Sequence, residues 1–243
     1  MIRFFITPEE MQPDFLVLTG GNAQHAKVLR IKNGEEVLVC DGEGHECLCT
    51  VSDVSDGQIS LVVQHRQNSV TEAAVQVSVY IAYPKADKLE HVIQKATELG
   101  AYEIIAFPTS RCVSRPDDKS LAKKLERWQK IAASAAEQCG RGRVPQVLTV
   151  PSYREAVARA AKADQALLFY ENEQATTLQM ALKSKPYCTV SLLTGPEGGL
   201  EPQEVELARQ SGMQICTLGK RILRCETAPL CALSAVMYDA GEF

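Results

Sequence analysis

No stretch of this 243-residue sequence approaches the roughly 18 consecutive apolar residues that a membrane-crossing helix needs. The first residues, Met1-Ile2-Arg3-Phe4-Phe5-Ile6, run straight into Thr7-Pro8-Glu9-Glu10, too short an apolar stretch for a secretory leader. No G-x-G-x-x-G follows a strand pattern, which argues against a Rossmann dinucleotide site, and no G-x-x-x-x-G-K-[ST] is present, which excludes a P-loop. The four histidines (His25, His45, His65 and His91) include no pair at zinc spacing. Nine cysteines are present, yet the closest pair, Cys47-Leu48-Cys49 beside His45, has no second pair to complete a zinc site. With no leader to carry them into an oxidising compartment, the cysteines read as reduced thiols of a cytoplasmic protein that uses neither metal nor membrane. Cys139, beside a basic loop, reads as a small buried apolar residue.

Hydrophobic residues make up 45% of the chain and charged residues 23%, close to the soluble globular average of roughly 45–50% and about 25%. Disordered and collagen-like chains are therefore excluded. The net charge of −4 is unevenly spread. Residues 1–70 carry five basic and ten acidic side chains, whereas residues 110–145 carry nine basic and four acidic ones. A local basic patch on an acidic protein is the footprint of a polyanion-binding face; Lys119 to Lys130 read rather as a solvated helix face. Arg141-Gly142-Arg143 lies between Gly140 and Pro145, in a loop where side chains can converge on a ligand.

The hydrophobic period divides the chain into residues 1–70 and 71–243. In the first part, Glu36–Cys40, Cys47–Val51 and Ile59–Val63 read as strands, with turns at Asp41-Gly42 and Asp56-Gly57 and a helical turn at Gln24–Leu29. This predicts a small β-barrel or sandwich. In the second part, Val75–Tyr83 alternates as a strand, and Leu89, Val92, Ile93, Ala96 and Leu99 fall at helical spacing, capped by Asp87 and closed by Gly100. Strands at Ile104–Phe107, Val147–Val150, Ala166–Tyr170, Cys188–Leu193 and Gln214–Leu218 alternate with helices over Leu121–Ala135, Tyr153–Ala163, Pro202–Ser211 and Thr227–Tyr238. The alternation predicts an α/β domain with a mostly parallel sheet.

Two segments carry the chemistry. Leu193-Thr-Gly-Pro-Glu-Gly-Gly-Leu200 follows a buried-type strand and precedes a helix, at the strand end where α/β sheets bind ligands. It also fits an ordinary tight turn. Leu218-Gly-Lys-Arg-Ile-Leu-Arg-Cys-Glu-Thr-Ala228 again follows a strand and opens a helix. There Lys220, Arg221 and Arg224 surround Ile222 and Leu223, a mixture that suits an adenine-like ring slot, or apolar plugs of the core flanked by cations.

These paired loops resemble those of the SPOUT methyltransferases, and more narrowly the 16S ribosomal RNA uridine-N3 methyltransferase family. His25-Ala-Lys-Val-Leu-Arg30, Thr97-Glu-Leu-Gly100, Ser110-Arg-Cys112 and Ala136-Glu-Gln-Cys-Gly-Arg141 agree, so the likeness runs from about residue 20 to 235. The resemblance implies a PUA-like β-barrel over residues 1–70 that binds RNA. It implies an α/β methyltransferase domain over 71–243 whose C-terminal part forms a trefoil knot. It further implies a homodimer acting on the small ribosomal subunit. The apolar positions Leu230, Leu233, Ala235, Val236 and Met237 suit either the dimer contact or internal packing.

The resemblance also supplies S-adenosylmethionine as methyl donor. Its binding residues would be Leu193, Thr194, Gly195, Gly198, Gly199, Leu218, Gly219, Ile222, Leu223, Arg224, Thr227 and Ala228. RNA would be met by Lys27 and Arg30 in the barrel, and by Arg111, Gln138, Arg141 and Arg143 in the larger domain. Uridine N3 must lose a proton before it can attack. Either a carboxylate removes it, with Glu197 and Glu226 nearest by motif and Glu98 third, or a cation, Arg224, stabilises the uracil anion. Glu226 also fits a plain helix N-terminal charge. Two other readings are a different SPOUT reaction (ribose 2′-O or guanine N1) and a non-catalytic RNA-binding assembly factor.

Overall fold

Alternating inward apolar and outward polar side chains build the first sheet in the computed structural model, which describes residues 1–55 and 57–243. Its strands are β1 (Ile2–Phe5), β2 (Phe15–Thr19), β3 (Glu36–Cys40), β4 (His45–Ser55) and β5 (Gln58–Asn68), in the order β1-β3-β4-β5-β2. The β1–β3 pair is parallel and the other pairs are antiparallel. Pairing of β4 with β5 is interrupted between Leu48 and Cys49 and between Val51 and Asp53. Such bulges add twist and let a sheet curl over its own core. That core joins Phe4, Leu16, Leu18, Val37, Val39, Cys47, Cys49 and Leu61. Cys47 and Cys49 are thus apolar core residues, while His45 Nδ1 lies 2.6 Å from Asp41 Oδ2.

The Asp41-Gly42 turn is present: Asp41 Oδ1 accepts from the Glu43 and His45 N–H groups, and Gly42 has φ +76°. Of the second expected turn, Asp56 lies outside the described residues. The expected helical turn is a full helix, α1 (Gly20–Val28). The sequence reading missed β1 and β2. In β2, Phe15 and Val17 point to solvent and Leu16 and Leu18 inward, so an almost continuous apolar run hid the alternation.

The chain divides into two compact units, and the first holds Ala136–Val144 as well as Met1–Glu72. The segment bearing Arg141 and Arg143 therefore goes with the curled sheet and not with the α/β part.

The second unit, Ala73–Ala135 with Pro145–Phe243, is built on a parallel sheet. Its strands are β6 (Gln76–Ala82), β7 (Glu103–Phe107), β8 (Gln146–Thr149), β9 (Gln165–Phe169), β10 (Thr189–Thr194) and β11 (Gln214–Cys216). They run in the order β11-β9-β10-β6-β7-β8, and every pairing is parallel. All five residues of β9 are buried, as expected for a strand covered on both faces. The helices are α2 (Lys88–Glu98), α3 (Asp118–Cys139, whose residues from Ala136 onward belong to the first unit), α4 (Tyr153–Ala160), α5 (Leu178–Leu182), α6 (Pro202–Gln210) and α7 (Thr227–Asp239). One turn and a half long, α5 is too short to show a period in the sequence.

Asp87 precedes α2 as expected, but its side chain makes no capping bond. The other end of α2 closes as read: Gly100 has φ +92°, and Ala101 N–H reaches Ala96 O at 2.9 Å. A Cβ at Gly100 would stand 3.1 Å from Met237 Cε, so α7 packs closely there. Leu233, Val236 and Met237 are buried within the chain, which settles their role as internal packing. Cys139 is exposed, contrary to the buried reading, because α3 ends there and only Gly140 follows before the turn. No helix among the described residues is long and apolar enough to cross a membrane.

Candidate active site

Three adjacent parallel strands, β11, β9 and β10, send their carboxyl ends to the same side, so the loops that follow them meet. They enclose a cavity of about 620 Å³, within the roughly 300–1,000 Å³ of small-molecule sites. Thr194 to Gly199 line it after β10, Thr217 to Cys225 with Ala228 after β11, and Phe169, Tyr170 and Glu171 after β9. The two motif loops thus share one site.

Of the expected cofactor residues, Thr194, Gly195, Gly198, Gly199, Leu218, Gly219, Ile222, Leu223, Arg224 and Ala228 line the cavity. Two do not. Leu193 is fully buried in the core cluster under β10, because strand alternation turns it inward. Thr227 opens α7 and faces solvent. Ile222 is 85% exposed, which rules out its role as a core plug.

The glycine loop is held from outside. Arg111 Nη1 donates to Gly198 O at 3.1 Å, and its Nε stands 3.8 Å from Glu201 Oε1. Next to it, the N–H and hydroxyl of Ser110 both donate to Glu204 Oε1. Arg111, expected to meet RNA, is therefore first a brace on this loop.

The carboxylates expected to act as proton acceptors are ion-paired. Lys88, in the first turn of α2, puts Nζ 3.0 Å from Glu197 Oε1 and 3.2 Å from Glu226 Oε2. Glu197 Oε1 also accepts the Lys85 N–H at 3.0 Å. Burial pushes the Glu197 carboxyl up, but that N–H and the Lys88 ammonium outweigh it and bring its pKa down to about 2. Glu226 is likewise lowered: burial opposes the shift, and its own N–H, the Cys225 thiol and Lys88 prevail. Burial pushes the Cys225 thiol up to about 12, so it stays protonated and donates to Glu226 Oε2 at 3.2 Å. Glu98, the third carboxylate, pairs with Lys95 at 2.8 Å at the far end of α2. Arg224 lines the cavity, is exposed, and has no ion-pair partner among the described residues.

The remaining residues expected to meet RNA lie in the first unit. Lys27 and Arg30 are exposed at the end of α1, beside exposed Val28 and Leu29. Arg30 has φ +57°, a left-handed conformation in which glycine is usual. Gln138 is exposed and Arg143 half-buried. Arg141 corrects the sequence reading: it is 5% exposed, with Nη2 2.7 Å from Glu72 Oε2. Glu72 Oε1 also accepts the N–H groups of Gly142 and Arg143, so this arginine anchors its own loop from inside.

Sequence reasoning missed Lys88 and Glu171. Each follows the carboxyl end of a sheet strand next to β10, and that placement rule was the available signal. Among the described residues there is no group of three or more His, Cys, Asp or Glu able to hold a metal ion.

Comparison with known proteins bears on this site. A family described as "RNA methyltransferase domain" matches residues 71–237, and one described as "RNA methyltransferase PUA domain" matches residues 18–64. The sequence is 40% identical to the ribosomal RNA small subunit methyltransferase E of Bacillus subtilis, over 98% of this chain and 97% of the relative. It is 34% identical to the enzyme of that name from Mycobacterium tuberculosis, over 90% and 85%. The crystal structure of a ribosomal RNA small subunit methyltransferase E from Neisseria gonorrhoeae bound to S-adenosylmethionine matches with a TM-score of 0.86 and 31% identity, over 98% of this chain and 97% of that one. A Legionella pneumophila methyltransferase in complex with the same cofactor matches with a TM-score of 0.84 and 30% identity, over 98% and 97%.

Proposed function

The chain belongs to the ribosomal RNA small subunit methyltransferase E family, and we propose that it transfers the methyl group of S-adenosylmethionine to N3 of a uridine in 16S ribosomal RNA. The observation that carries this reading is the single cavity shared by the Thr194–Gly199 and Thr217–Cys225 loops, with Arg224 in its wall.

The residues present fit that cofactor. Glycine backbone at 195, 198 and 199 allows close approach, Leu218 and Leu223 offer apolar surface for a flat ring, and the volume suits a nucleoside-sized ligand. Bound S-adenosylmethionine supplies a methyl group activated on a sulfonium. The protein's task is to position the nucleophile and manage the proton on uridine N3.

Glu197 and Glu226 are poor candidates for removing that proton, because backbone N–H groups, the Cys225 thiol at Glu226 and the Lys88 ammonium hold both below the ordinary carboxylate range. We assign the charge-stabilising role to Arg224. Its guanidinium would lower the energy of the uracil anion as the N3 proton passes to solvent. Lys88 is a positioning residue that ties together the two loops bearing Glu197 and Glu226. Lys27, Arg30, Gln138 and Arg143 would meet the RNA through the first unit, and the exposed part of Arg111 through the second. Arg141 would serve indirectly by shaping its loop. The reading extends to a homodimer, a trefoil-knotted C-terminal region and a cytoplasmic setting, supported by family membership.

The test is label transfer. Purified protein with methyl-labelled S-adenosylmethionine is expected to label small-subunit and not large-subunit ribosomal RNA. Failure to bind S-adenosylmethionine would overturn the proposal.

A further inference from the structure

We propose that Glu171 is the carboxylate that receives the hydrogen-bond donors of the bound cofactor, namely its ribose hydroxyls or its α-ammonium. This rests on the reading of the cavity as an S-adenosylmethionine site.

Two carboxylates line the cavity, Glu171 and Glu197. Glu197 is occupied by Lys88 and the Lys85 N–H. Glu171 has no hydrogen bond or ion pair among the described residues, although Lys220, Arg221 and Arg224 line the same cavity. Its place in the fold is central. It follows β9, and β9 lies between β10 and β11, whose loops form the two walls.

The carboxylate also lies directly over the glycine loop. A Cβ built on Gly199 would stand 2.3 Å from Glu171 Oε1 and 3.2 Å from its Cδ. Gly199 has φ +69°, a left-handed backbone that favours glycine, and a side chain there would displace the Glu171 carboxylate.

The chain on both sides of Glu171 is tied down. Tyr170 N–H bonds Cys216 O at 3.0 Å, and Glu173 Oε1 accepts the N–H groups of Ala175 and Thr176. The backbone that carries Glu171 is therefore fixed, while its exposed carboxylate is left open to a ligand. A glycine loop offers mainly N–H donors to a ligand, so a ligand with hydroxyl or ammonium donors needs an acceptor from elsewhere. An ionised carboxylate is the strongest available, since charge-assisted bonds are roughly twice as strong as neutral ones. Glu171 fills that role.

The test is calorimetric binding of S-adenosylmethionine and of 5′-methylthioadenosine, which keeps the ribose and lacks the amino-acid part. Wild type, Glu171→Gln and Glu171→Ala are compared, with unliganded melting temperatures as a check on folding. For Glu171→Ala, the Kd of S-adenosylmethionine is expected to rise about tenfold or more, in the range for a hydrogen bond to a charged group. A parallel rise for methylthioadenosine supports the ribose hydroxyls as donors. A rise for S-adenosylmethionine alone supports the ammonium. Unchanged affinity of the folded variants for both ligands overturns the inference while the cofactor reading stands. Absence of S-adenosylmethionine binding by the wild type overturns both.

Discussion

The Lys88 ammonium stands 3.0 Å from Oε1 of Glu197, joining the first turn of α2 to the glycine loop after β10. The same Nζ reaches Glu226 at the start of α7. Two carboxylates that motif spacing offers as bases are thereby drawn into loop architecture, while Arg224 lines the cavity without an ion-pair partner among the described residues.

Replacing Lys88 by Met is expected to loosen both loops. The KM for S-adenosylmethionine should rise about tenfold, the scale of losing a hydrogen bond to a charged group, with a smaller change in kcat. Lys88→Arg should recover much of the loss. Steady-state kinetics of the three proteins would check this; a fall in kcat alone would contradict it.

Acid stability follows from the same pair. The Glu197 carboxyl is depressed to about 2, so its contribution is fully present above the unfolded-state value near 4.5 and is lost as pH falls from there toward 2. Urea unfolding of wild type should weaken across that window. Lys88→Met should show a shallower decline there, because its Glu197 sits nearer the unfolded value. Identical slopes would contradict the assignment.

Arg224→Met is expected to cut kcat by roughly 10²–10³, the scale of removing a donor to a developing oxyanion, with little change in S-adenosylmethionine Kd. Glu226→Gln should keep kcat within about tenfold, below the 10²–10⁴ of general-base loss. A larger loss in Glu226→Gln than in Arg224→Met would restore the carboxylate to the chemistry.

The Arg141–Glu72 pair is a stability element of the first unit, with side chains 6% and 18% exposed. Arg141→Met leaves half-buried Glu72 with the Gly142 and Arg143 N–H groups but no cation. It should cost about 1–3 kcal/mol, the scale of losing hydrogen bonds to a charged group. Chemical denaturation followed by a first-unit probe would measure this. A cost below about 1 kcal/mol, the scale of an exposed pair, would contradict it.

Arg30 holds a left-handed backbone at φ +57°. Arg30→Gly should leave the fold equally or more stable, by up to about 1 kcal/mol, yet weaken RNA binding. The salt dependence should flatten by about 0.7 in log–log slope, one phosphate contact on a single strand. Equal RNA affinity and slope would remove Arg30 from the interface.

What was legible in the sequence was local. The alternation of Val77, Val79 and Ile81, the Gly100 stop and the two loops after β10 and β11 all declare themselves within a few residues, and the structure has them. What was hidden depends on partners far along the chain. Arg141 looks like a loop cation until Glu72, 69 positions away, is placed against it. Lys88 and Glu197 are likewise far apart, and nothing near either residue reports the pairing. Strand β2 was hidden for another reason: Phe15 and Val17 are apolar on the exposed face, so the period of two is invisible in composition.

The central claim is that this cavity methylates N3 of a uridine in small-subunit RNA. Its most direct test is to incubate the protein with methyl-labelled S-adenosylmethionine and small ribosomal subunits from a strain lacking this gene, digest the RNA, and identify the labelled nucleoside by mass. The account predicts 3-methyluridine as the sole labelled product, lost in Arg224→Met. Label recovered as a 2′-O-methylated nucleoside or as 1-methylguanosine would contradict it.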